Sequence, residues 1–294
     1  MTKIISGKAF AKLNLYLGVR GLRPDGYHEL ETVFQSIDLC DLVAITFHKR
    51  GGVSFRSNLP YLPGDSRNLA VKAAELFFQT TGLPNPGVHI NIKKVIPVGA
   101  GMAGGSTDAA CVLRLLNQAF GMPLSHRALA ETALRLGADV PFCLWGGTAL
   151  AGGVGEQLKP LPTLDRGWIT AAKPGFSVST KAAFAQYDAS THGPCPGPRP
   201  VLDALEAGDL PALGRALYND LEGPVAAERP RIARLREELL SAGALGARMT
   251  GSGSAVFGLF ESEAAARAAA RHMETLCRTV FVTRPLPPGR GLRK

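Results

Sequence analysis

The segment that most constrains the fold is PVGAGMAGGSTDAA, residues 97–110. It follows VHINIKKVI (88–96), whose alternation is typical of a strand, and it leads into an apolar run at helical spacing from Thr107 to Phe120. A strand, a glycine loop and a helix in this order present free backbone N–H groups and the positive end of a helix to an anion. Ser106 is a candidate helix cap, and its hydroxyl and that of Thr107 lie where a phosphate or Mg²⁺ would be met. The segment therefore predicts a phosphate-binding loop.

Two other phosphate-binding patterns fit this loop less well. GAGMAG (99–104) satisfies G-x-G-x-x-G, but a dinucleotide site needs a second strand after the helix, and the sequence predicts a second helix from Ser125 to Leu136. A Walker loop needs a lysine directly after the glycines, and none is present. A plain strand-to-helix turn explains one or two glycines, but not the four at 99, 101, 104 and 105.

The rest of the chain predicts an α+β protein. In AFAKLNLYLGV (9–19), leucines alternate with a polar face that carries Lys12, Asn14 and Tyr16. Further strands are predicted at 27–37 and 41–47, and a helix at 68–80. A proline-rich loop (188–200) and a glycine turn, MTGSGSAVFG (249–258), punctuate the second half. We expect two domains, residues 1–160 and 161–294.

Length and composition indicate a globular, intracellular protein. The chain has 294 residues, of which 46% are hydrophobic and 19% charged. It has no apolar run near the roughly 20 residues that cross a bilayer, and lysines interrupt its N-terminus where a signal peptide is apolar. The five cysteines are dispersed without C-x-x-C spacing. We therefore expect reduced thiols, a cytoplasmic location and no membrane partner.

The net charge of +9 indicates a polyanionic partner. The basic residues are dispersed except in the tail RGLRK (290–294) and the stretch from Arg229 to Arg236. That stretch predicts a helix with Ile232, Leu235 and Leu239 on one face and arginines opposite, without interleaved aromatic residues. This favours a solvated helix and a phosphorylated small molecule as partner, rather than nucleic acid.

Candidate reactive groups lie on both sides of the loop. Phosphoryl transfer to an alcohol needs a base for the hydroxyl proton, and Asp139 in GADVPF follows a predicted helix. If Lys12 pairs with Asp139, the attraction energy of the two charges is roughly 4 kcal/mol at 4 Å and an effective dielectric of 20. Such a pair would keep Asp139 ionised. Tyr27 and His28 follow the turn at 23–26 and suit a planar base. Taken singly, each residue has an ordinary role: a turn aspartate, a solvated lysine, a strand histidine.

Together the motifs resemble the GHMP kinase superfamily. They are AKLNLYL (11–17), RPDGYHEL (23–30), IPVGAGMAGGSTDAA (96–110), GADVPF (137–142) and MTGSGSAVFG (249–258), in the order of the family, while residues 188–248 carry little of the likeness. The resemblance implies an N-terminal domain like the second domain of ribosomal protein S5 and a ferredoxin-like C-terminal domain. It also implies ATP-dependent phosphorylation, with Mg²⁺, of the 2-hydroxyl of a cytidine-diphosphate-linked methylerythritol in non-mevalonate isoprenoid synthesis.

The resemblance assigns residues to three sites. The catalytic pair is Lys12 and Asp139, the substrate-binding residues are Asn14, Tyr27, His28 and Phe184, and the turn Thr250–Ser254 closes the site from the second domain. The ATP-binding residues are Asn68, Lys94, Pro97, Val98, Gly99, Ala100, Gly101, Met102, Ala103, Gly104, Gly105, Ser106 and Thr107. The Mg²⁺ ligand is left unassigned, and we expect a monomer or weak homodimer. Homoserine or mevalonate kinases share the loop, and a nucleic-acid-binding module on an S5-like fold is a further alternative.

One position departs from the family pattern. Ala103 stands where the family has glycine, and its methyl group disfavours a positive φ. We expect either a negative φ at Ala103 or a slightly shifted loop, with at most a modest loss of phosphate affinity.

Overall fold

The computed structural model describes residues 4–289. Its first sheet is built on a long antiparallel hairpin of β1 (Ile4–Leu22) and β2 (His28–Phe47). The other strands are β3 (Val53–Ser57), β4 (Val88–Lys93), β5 (Thr148–Gly152), β6 (Gln157–Pro160) and β8 (Tyr218–Asn219). The order is β3-β4-β2-β1-β8, and β5 pairs with β2 and with β6.

Four helices belong to this half of the chain. They are α1 (Leu69–Thr81), α2 (Gly104–Ala119), α3 (His126–Leu134) and α4 (Val140–Trp145). They share a core with β2 and β4 in which Phe77, Ile90 and Leu116 are fully buried. Because α3 rather than a strand follows α2, the glycine loop and α2 are not part of a dinucleotide-binding βαβ unit within residues 4–289.

The second sheet contains β7 (Trp168–Lys173), β9 (Gly246–Met249), β10 (Val256–Phe260) and β11 (Thr279–Thr283). The strand order in this sheet is β11-β7-β10-β9. Numbered by their position in the chain, these strands are the fourth, first, third and second of the sheet, and all neighbouring strands are antiparallel. Two helices occupy the crossovers of a ferredoxin-like unit, α9 (Arg231–Ser241) and α10 (Glu263–Glu274). The additional helices are α5 (Thr180–Asp188), α6 (Arg199–Ala207), α7 (Leu210–Ala216) and α8 (Glu222–Glu228). The α+β class and the ferredoxin-like unit are confirmed.

Two local predictions were wrong. The runs at 27–37 and 41–47 form one strand, β2, whose pairing with β1 shifts register instead of breaking. Helix α2 begins at Gly104, with Ala103 as its N-cap residue, so Ser106 lies inside the first turn and does not cap it. The polar face of β1 is buried, with Lys12 only 4% exposed, so the ordinary role of a solvated lysine does not apply.

We propose that the chain divides into domains at residue 160, between β6 and β7. The division is crossed by the short strand β8 of the second half, which pairs in parallel with β1, and by an isolated antiparallel bridge between Ile37 and Pro285. No helix within residues 4–289 has both the length and the apolar character needed to cross a bilayer.

The basic stretch forms α9, with Ile232, Leu235 and Leu239 buried as predicted. Its arginines are engaged within the protein: Arg229 lies over the Phe176 ring, Arg231 donates to the Leu276 carbonyl, and the other two pair with Glu238 and Glu222. The basic tail at 290–294 lies outside the described residues.

Candidate active site

Lys12 and Asp139 approach each other beside the glycine loop. Lys12 Nζ lies 3.8 Å from Asp139 Oδ2, and its backbone N–H donates to the carbonyl of Met102 within the loop at 3.3 Å. The lysine side chain is 5% exposed and the aspartate side chain 35%. The pair therefore places a buried cation and a partly accessible carboxylate together next to the predicted phosphate site.

A chain of hydrogen bonds fixes the position of Lys12. Its Nζ donates to Asn14 Oδ1 at 2.8 Å and lies 5.1 Å from the centre of the Phe34 ring. Asn14 Nδ2 donates to Thr32 Oγ1 at 2.8 Å, and that hydroxyl donates to the carbonyl of Tyr16 at 2.5 Å. Both ends of the Asn14 amide are thus occupied by protein groups, and the ammonium is held without rotamer freedom.

The glycine loop leaves the start of α2 open. Its first helical hydrogen bond runs from Thr107 N–H to the Ala103 carbonyl, so the N–H groups of Gly104, Gly105 and Ser106 precede the helical ladder. No side chain caps this end. Among the described residues the Ser106 hydroxyl has no protein partner, whereas Thr107 is buried and donates back to the Gly104 carbonyl at 2.9 Å. The helix end is therefore available to an anion through its backbone and Ser106.

The remaining loop residues have distinct environments. Ala100 and Met102 are buried, and Val98 is exposed. Gly99 and Gly101 have φ of +64° and +74°, values that residues with a Cβ rarely adopt. Pro97, between β4 and these glycines, ends the extended segment.

The turn between β9 and β10 packs directly against the loop. A Cβ at Gly101 would overlap the carbonyl oxygen of Thr250. Ala255 N–H donates to the Ala100 carbonyl at 3.2 Å, and the Thr250 hydroxyl accepts from Asn14 N–H at 3.1 Å. The predicted turn Thr250–Ser254 of the second half thus contacts both the loop and the strand that carries Lys12.

Ala103 adopts the conformation that its side chain disfavours. Its φ is +58° and its ψ is +29°, in the left-handed region. The expectation of a negative φ was wrong, and the loop keeps the glycine-type backbone. This conformation costs a non-glycine residue roughly 1–2 kcal/mol.

Asn68 and Lys94 lie on the opposite side of the loop. Asn68 caps α1 through Ala70 N–H and donates to the Pro63 carbonyl, at 3.0 Å each. The ammonium of Lys94 is buried between the carboxylates of Asp41 and Asp108. Both residues border the loop, but in this structure their polar groups are held by protein partners.

Burial and the two carboxylates set the protonation of this triad. Burial raises the pKa of Asp108 to about 7, Lys94 opposes the rise and Asp41 adds to it. Burial by itself would lower the pKa of Lys94, but the two carboxylates outweigh it and raise that pKa. Asp41 also accepts the N–H groups of Val95 and Ile96, which lead into the loop. The triad thus fastens the entrance of the loop to α2.

The predicted base-binding residues are only partly assembled. The rings of His28 and Phe184 stack on each other, with centroids 4.7 Å apart and 17° between planes, which leaves no gap for a base between them. The Tyr27 side chain, at the tip of the hairpin, is 66% exposed. A base bound here would lie against Tyr27 or displace Phe184 from His28.

Several residues at the site carried no recognisable signal in the sequence. Thr32 and Phe34 hold the Lys12 network, and the carboxylate of Asp188 accepts the ring N–H of His28 at Nε2, 2.8 Å away. Asp41 pairs with Lys94 over a separation of 53 residues. Alternation along β2 indicates which residues share a face, but not which of them meets the loop.

The residues present fit a magnesium–phosphate complex better than a protein-only metal site. Within residues 4–289, no group of three or more His, Cys, Asp or Glu side chains is arranged to hold a metal. Mg²⁺ commonly binds through one or two protein ligands, phosphate oxygens and water. Ser106 lies in the first turn of α2, and its hydroxyl, which has no hydrogen-bond partner among the described residues, could be such a protein ligand of Mg²⁺.

Comparisons with known proteins agree with this geometry. Residues 68–147 match the model "GHMP kinases N terminal domain", and residues 201–279 match "GHMP kinases C terminal". The chain is 40% identical to a 4-diphosphocytidyl-2-C-methyl-D-erythritol kinase of Clostridium botulinum (strain Eklund 17B / Type B), over 95% of this chain and 99% of the relative. It is 44% identical to the kinase of that name from Gloeobacter violaceus (strain ATCC 29082 / PCC 7421), over 94% and 89%.

A solved structure shows the same arrangement over nearly the whole chain. The crystal structure of a 4-(cytidine 5'-diphospho)-2C-methyl-D-erythritol kinase superposes with a TM-score of 0.82 at 37% identity, covering 96% of this chain and 99% of that one. The two sheets, the glycine loop and the turn that meets it are therefore those of a family fold. The chain belongs to the GHMP kinases and, within them, to the family of 4-diphosphocytidyl-2-C-methyl-D-erythritol kinases.

Proposed function

We propose that the protein transfers the γ-phosphoryl group of ATP to the 2-hydroxyl of 4-diphosphocytidyl-2-C-methyl-D-erythritol, a step of non-mevalonate isoprenoid precursor synthesis. The observation that carries this proposal is the Lys12–Asp139 pair, 3.8 Å apart, because its lysine lies on a strand that is hydrogen-bonded to the glycine loop. An acid–base group and a phosphate cradle are the two parts that phosphoryl transfer to an alcohol requires.

In this mechanism Asp139 accepts the proton of the 2-hydroxyl as the oxygen attacks phosphorus. Lys12 orients the carboxylate by charge attraction and balances charge near the transferred group. Asn14 and Thr32 act on Lys12 by fixing its ammonium, and Asn14 also borders the substrate. A positioned base contributes on the order of 10²- to 10⁴-fold to such a step.

The triphosphate binds along Pro97–Thr107. The N–H groups at the start of α2, which carries about half a positive elementary charge, meet its oxygens. The start of α2 neutralises only part of the negative charge of the triphosphate. Mg²⁺ bound to the phosphates and to Ser106 would neutralise a further part. Asn68 and Lys94 border the adenosine, where their role is to hold the walls of the pocket in place.

The cytidine end of the substrate lies at Tyr27, His28 and Phe184. Stacking on an aromatic ring is worth about 1–3 kcal/mol per base, and the exposed Tyr27 ring offers such a face. His28 supplies a ring nitrogen that Asp188 orients. Kinases for homoserine or mevalonate need no base-binding group, so this cluster favours the cytidine substrate over those alternatives.

A coupled ADP-release assay tests the proposal. Purified protein is given ATP and Mg²⁺ with the cytidine substrate, homoserine or mevalonate. We expect ADP release above the hydrolysis background with the cytidine substrate alone. A higher kcat/KM with homoserine or mevalonate would contradict the substrate assignment, and no release with any of the three would contradict the kinase assignment.

We further propose a cytoplasmic protein that acts as a monomer or weak homodimer without a nucleic-acid partner. All five cysteines lie within residues 4–289 and none forms a disulfide, which suits a reducing compartment. Lys12, Asp139, the loop and the turn come from one chain, so the site needs no second copy. The four arginines of the basic stretch are engaged by protein groups rather than presented together.

A further inference from the structure

A cleft in the second half of the chain is lined by three arginines. Arg215 comes from α7, Arg236 from α9 and Arg248 from β9, and the cleft has a volume of about 260 Å³. Its apolar wall includes Leu240 and Leu245. None of these residues belongs to the candidate active site.

The positive charge of this cleft is only partly compensated. Among the described residues, Glu222 is the carboxylate that pairs with two of the arginines, accepting from Arg236 at 2.8 Å and from Arg248 at 3.1 Å on the same oxygen, Oε1. Its other oxygen accepts Met249 N–H. Arg215 forms no ion pair with any residue between 4 and 289. Three guanidinium groups therefore face a single, fully engaged carboxylate.

One donor in this group has no partner at all. Arg248 Nε is buried, and no acceptor within residues 4–289 receives its hydrogen. An unmade hydrogen bond at a buried charged donor is costly, of order 1–3 kcal/mol or more. A ligand acceptor entering the cleft would satisfy it.

The backbones that carry two of the arginines are in direct contact. A Cβ at Gly246 would overlap the carbonyl of Gly214, and a Cβ at Gly214 would lie 2.6 Å from the carbonyl oxygen of Leu245. Glycine at both positions lets α7 and β9 touch through their backbones. This contact sets Arg215, which follows Gly214, and Arg248, two residues after Gly246, beside the same cleft.

We infer that this cleft binds a small, multiply charged phosphate anion, such as a diphosphate. Guanidinium groups pair with phosphate oxygens through parallel N–H donors, and Arg236 and Arg248 each use one nitrogen on Glu222 and keep the rest. The volume is below the roughly 300–1,000 Å³ of clefts that enclose drug-sized ligands, which suits a compact anion. The site is separate from the nucleotide loop and does not depend on the proposed reaction.

Calorimetric titration with pyrophosphate tests the inference. The full-length protein is titrated with ADP held at saturation, so that the nucleotide loop is occupied. We expect one pyrophosphate site in the wild type, with Kd raised about 10- to 100-fold in Arg215→Ala and in Arg248→Gln, since each loses a charge-assisted hydrogen bond. Arg234→Ala is the matched control, because Arg234 lies on the same helix, α9, and its ion-pair partner within residues 4–289 is Glu238 rather than Glu222.

Each outcome of the titration supports or overturns the proposed anion site. The absence of pyrophosphate binding with ADP present, or equal Kd values in the four proteins, would overturn the inference. Arg215→Ala keeps the test valid if Arg248→Gln fails to fold, since Arg215 is exposed and its removal leaves Glu222 paired. Sedimentation with phosphatidylglycerol vesicles separates a lipid headgroup from a free anion: vesicle binding that the same two variants abolish, without pyrophosphate binding, would contradict the soluble ligand.

Discussion

Asp139 is available for chemistry because its local structure does not consume its carboxylate. It is the N-cap residue of α4, but its side chain makes no capping hydrogen bond. Pro141, at the second helical position, lacks the N–H group that a cap residue commonly binds. The carboxylate is therefore left to Lys12 on one side and, in the mechanism that we propose, to the substrate hydroxyl on the other.

Asp139→Asn should lower kcat by about 10²- to 10⁴-fold, because the amide keeps the shape of the side chain but does not accept the proton. Affinity for ATP should stay close to that of the wild type, since the loop is untouched. Steady-state kinetics and ADP titration measure the two quantities. Asp165→Asn, at an exposed position, is the control and should keep full activity. Near-normal turnover in Asp139→Asn would refute its role as the base.

The charge balance of the Asp41–Lys94–Asp108 triad also depends on single residues. It holds two carboxylates against one ammonium in a buried site, and Asp108 Oδ1 has no hydrogen-bond partner among residues 4–289. Ionisation of both acids leaves a net negative charge out of contact with water, which is why the pKa of Asp108 is raised.

This pKa predicts how stability depends on pH. The unfolded chain releases the Asp108 proton near pH 4, whereas the folded protein holds it until about pH 7. The folded state thus binds more protons in this window, and the free energy of unfolding falls as the pH rises from about 4 to 7. In Asp108→Asn the titrating carboxyl group is absent. The free energy of unfolding of the variant should therefore rise relative to that of the wild type between about pH 4 and pH 7, and the difference should stay constant above about pH 7. Guanidinium unfolding from pH 4.5 to 8 measures this, and parallel profiles for the two proteins would contradict it.

At the scale of elements, the site is made where two loops from distant parts of the chain touch. Gly101 in the first half and Thr250 in the second are in contact through their backbones, and two further hydrogen bonds join the loop to the turn and the strand after it. At Gly101 the absence of a Cβ lets the two backbones approach, while Ala100 and Met102 of the loop belong to the same buried hydrophobic cluster as Ala255.

Gly101→Ala should therefore lower the free energy of unfolding by more than the backbone strain of a positive φ alone. Gly121→Ala is the matched control: the two glycines have φ of +74° and +80°, but a Cβ at Gly121 would meet nothing within 4 Å. We expect the control to lose about 1–2 kcal/mol of unfolding free energy, and Gly101→Ala to lose more and to bind ATP more weakly. Denaturation and ATP titration of both variants measure these effects. Equal losses of stability with unchanged ATP binding would contradict the contact.

At the scale of the whole molecule, the two halves are joined through one part of the core. One buried cluster contains Leu13, Leu15 and Ile96 from the first half with Ile169 and Phe257 from the second. Strand β8 adds a hydrogen-bonded connection to β1. The proposed division at residue 160 therefore separates two folding patterns rather than two independent units.

Unfolding should then be a single transition for both halves. The chain has two tryptophans, Trp145 in α4 and Trp168 at the start of β7, so Trp168→Phe and Trp145→Phe each leave one reporter. We expect the fluorescence of both variants to change at the same guanidinium concentration, because unfolding of either half exposes the cluster that both halves share. Two separated midpoints, after correction for the stability of each variant, would contradict the shared core.

Local patterns in the sequence predicted most of the elements. The glycine loop, the strand before it and the helix after it follow from residue spacing, and the Ser125 cap of α3 forms as predicted through Ala128 N–H. Prediction of β2 as two strands was wrong because a register shift lets a strand continue where its alternation is interrupted. The site residues came mainly from the resemblance, since Lys12 and Asp139 each have an ordinary local interpretation.

By itself, the sequence determined the α+β class, the phosphate loop and the family, because glycine spacing, hydropathy period and motif order are properties of neighbouring residues. Only the tertiary structure decided that the polar face of β1 is buried, that Lys94 lies between two acids, and that three arginines surround one cleft. These are contacts between residues tens to hundreds of positions apart. No local pattern encodes them, since the packing of sheets and helices selects which faces meet.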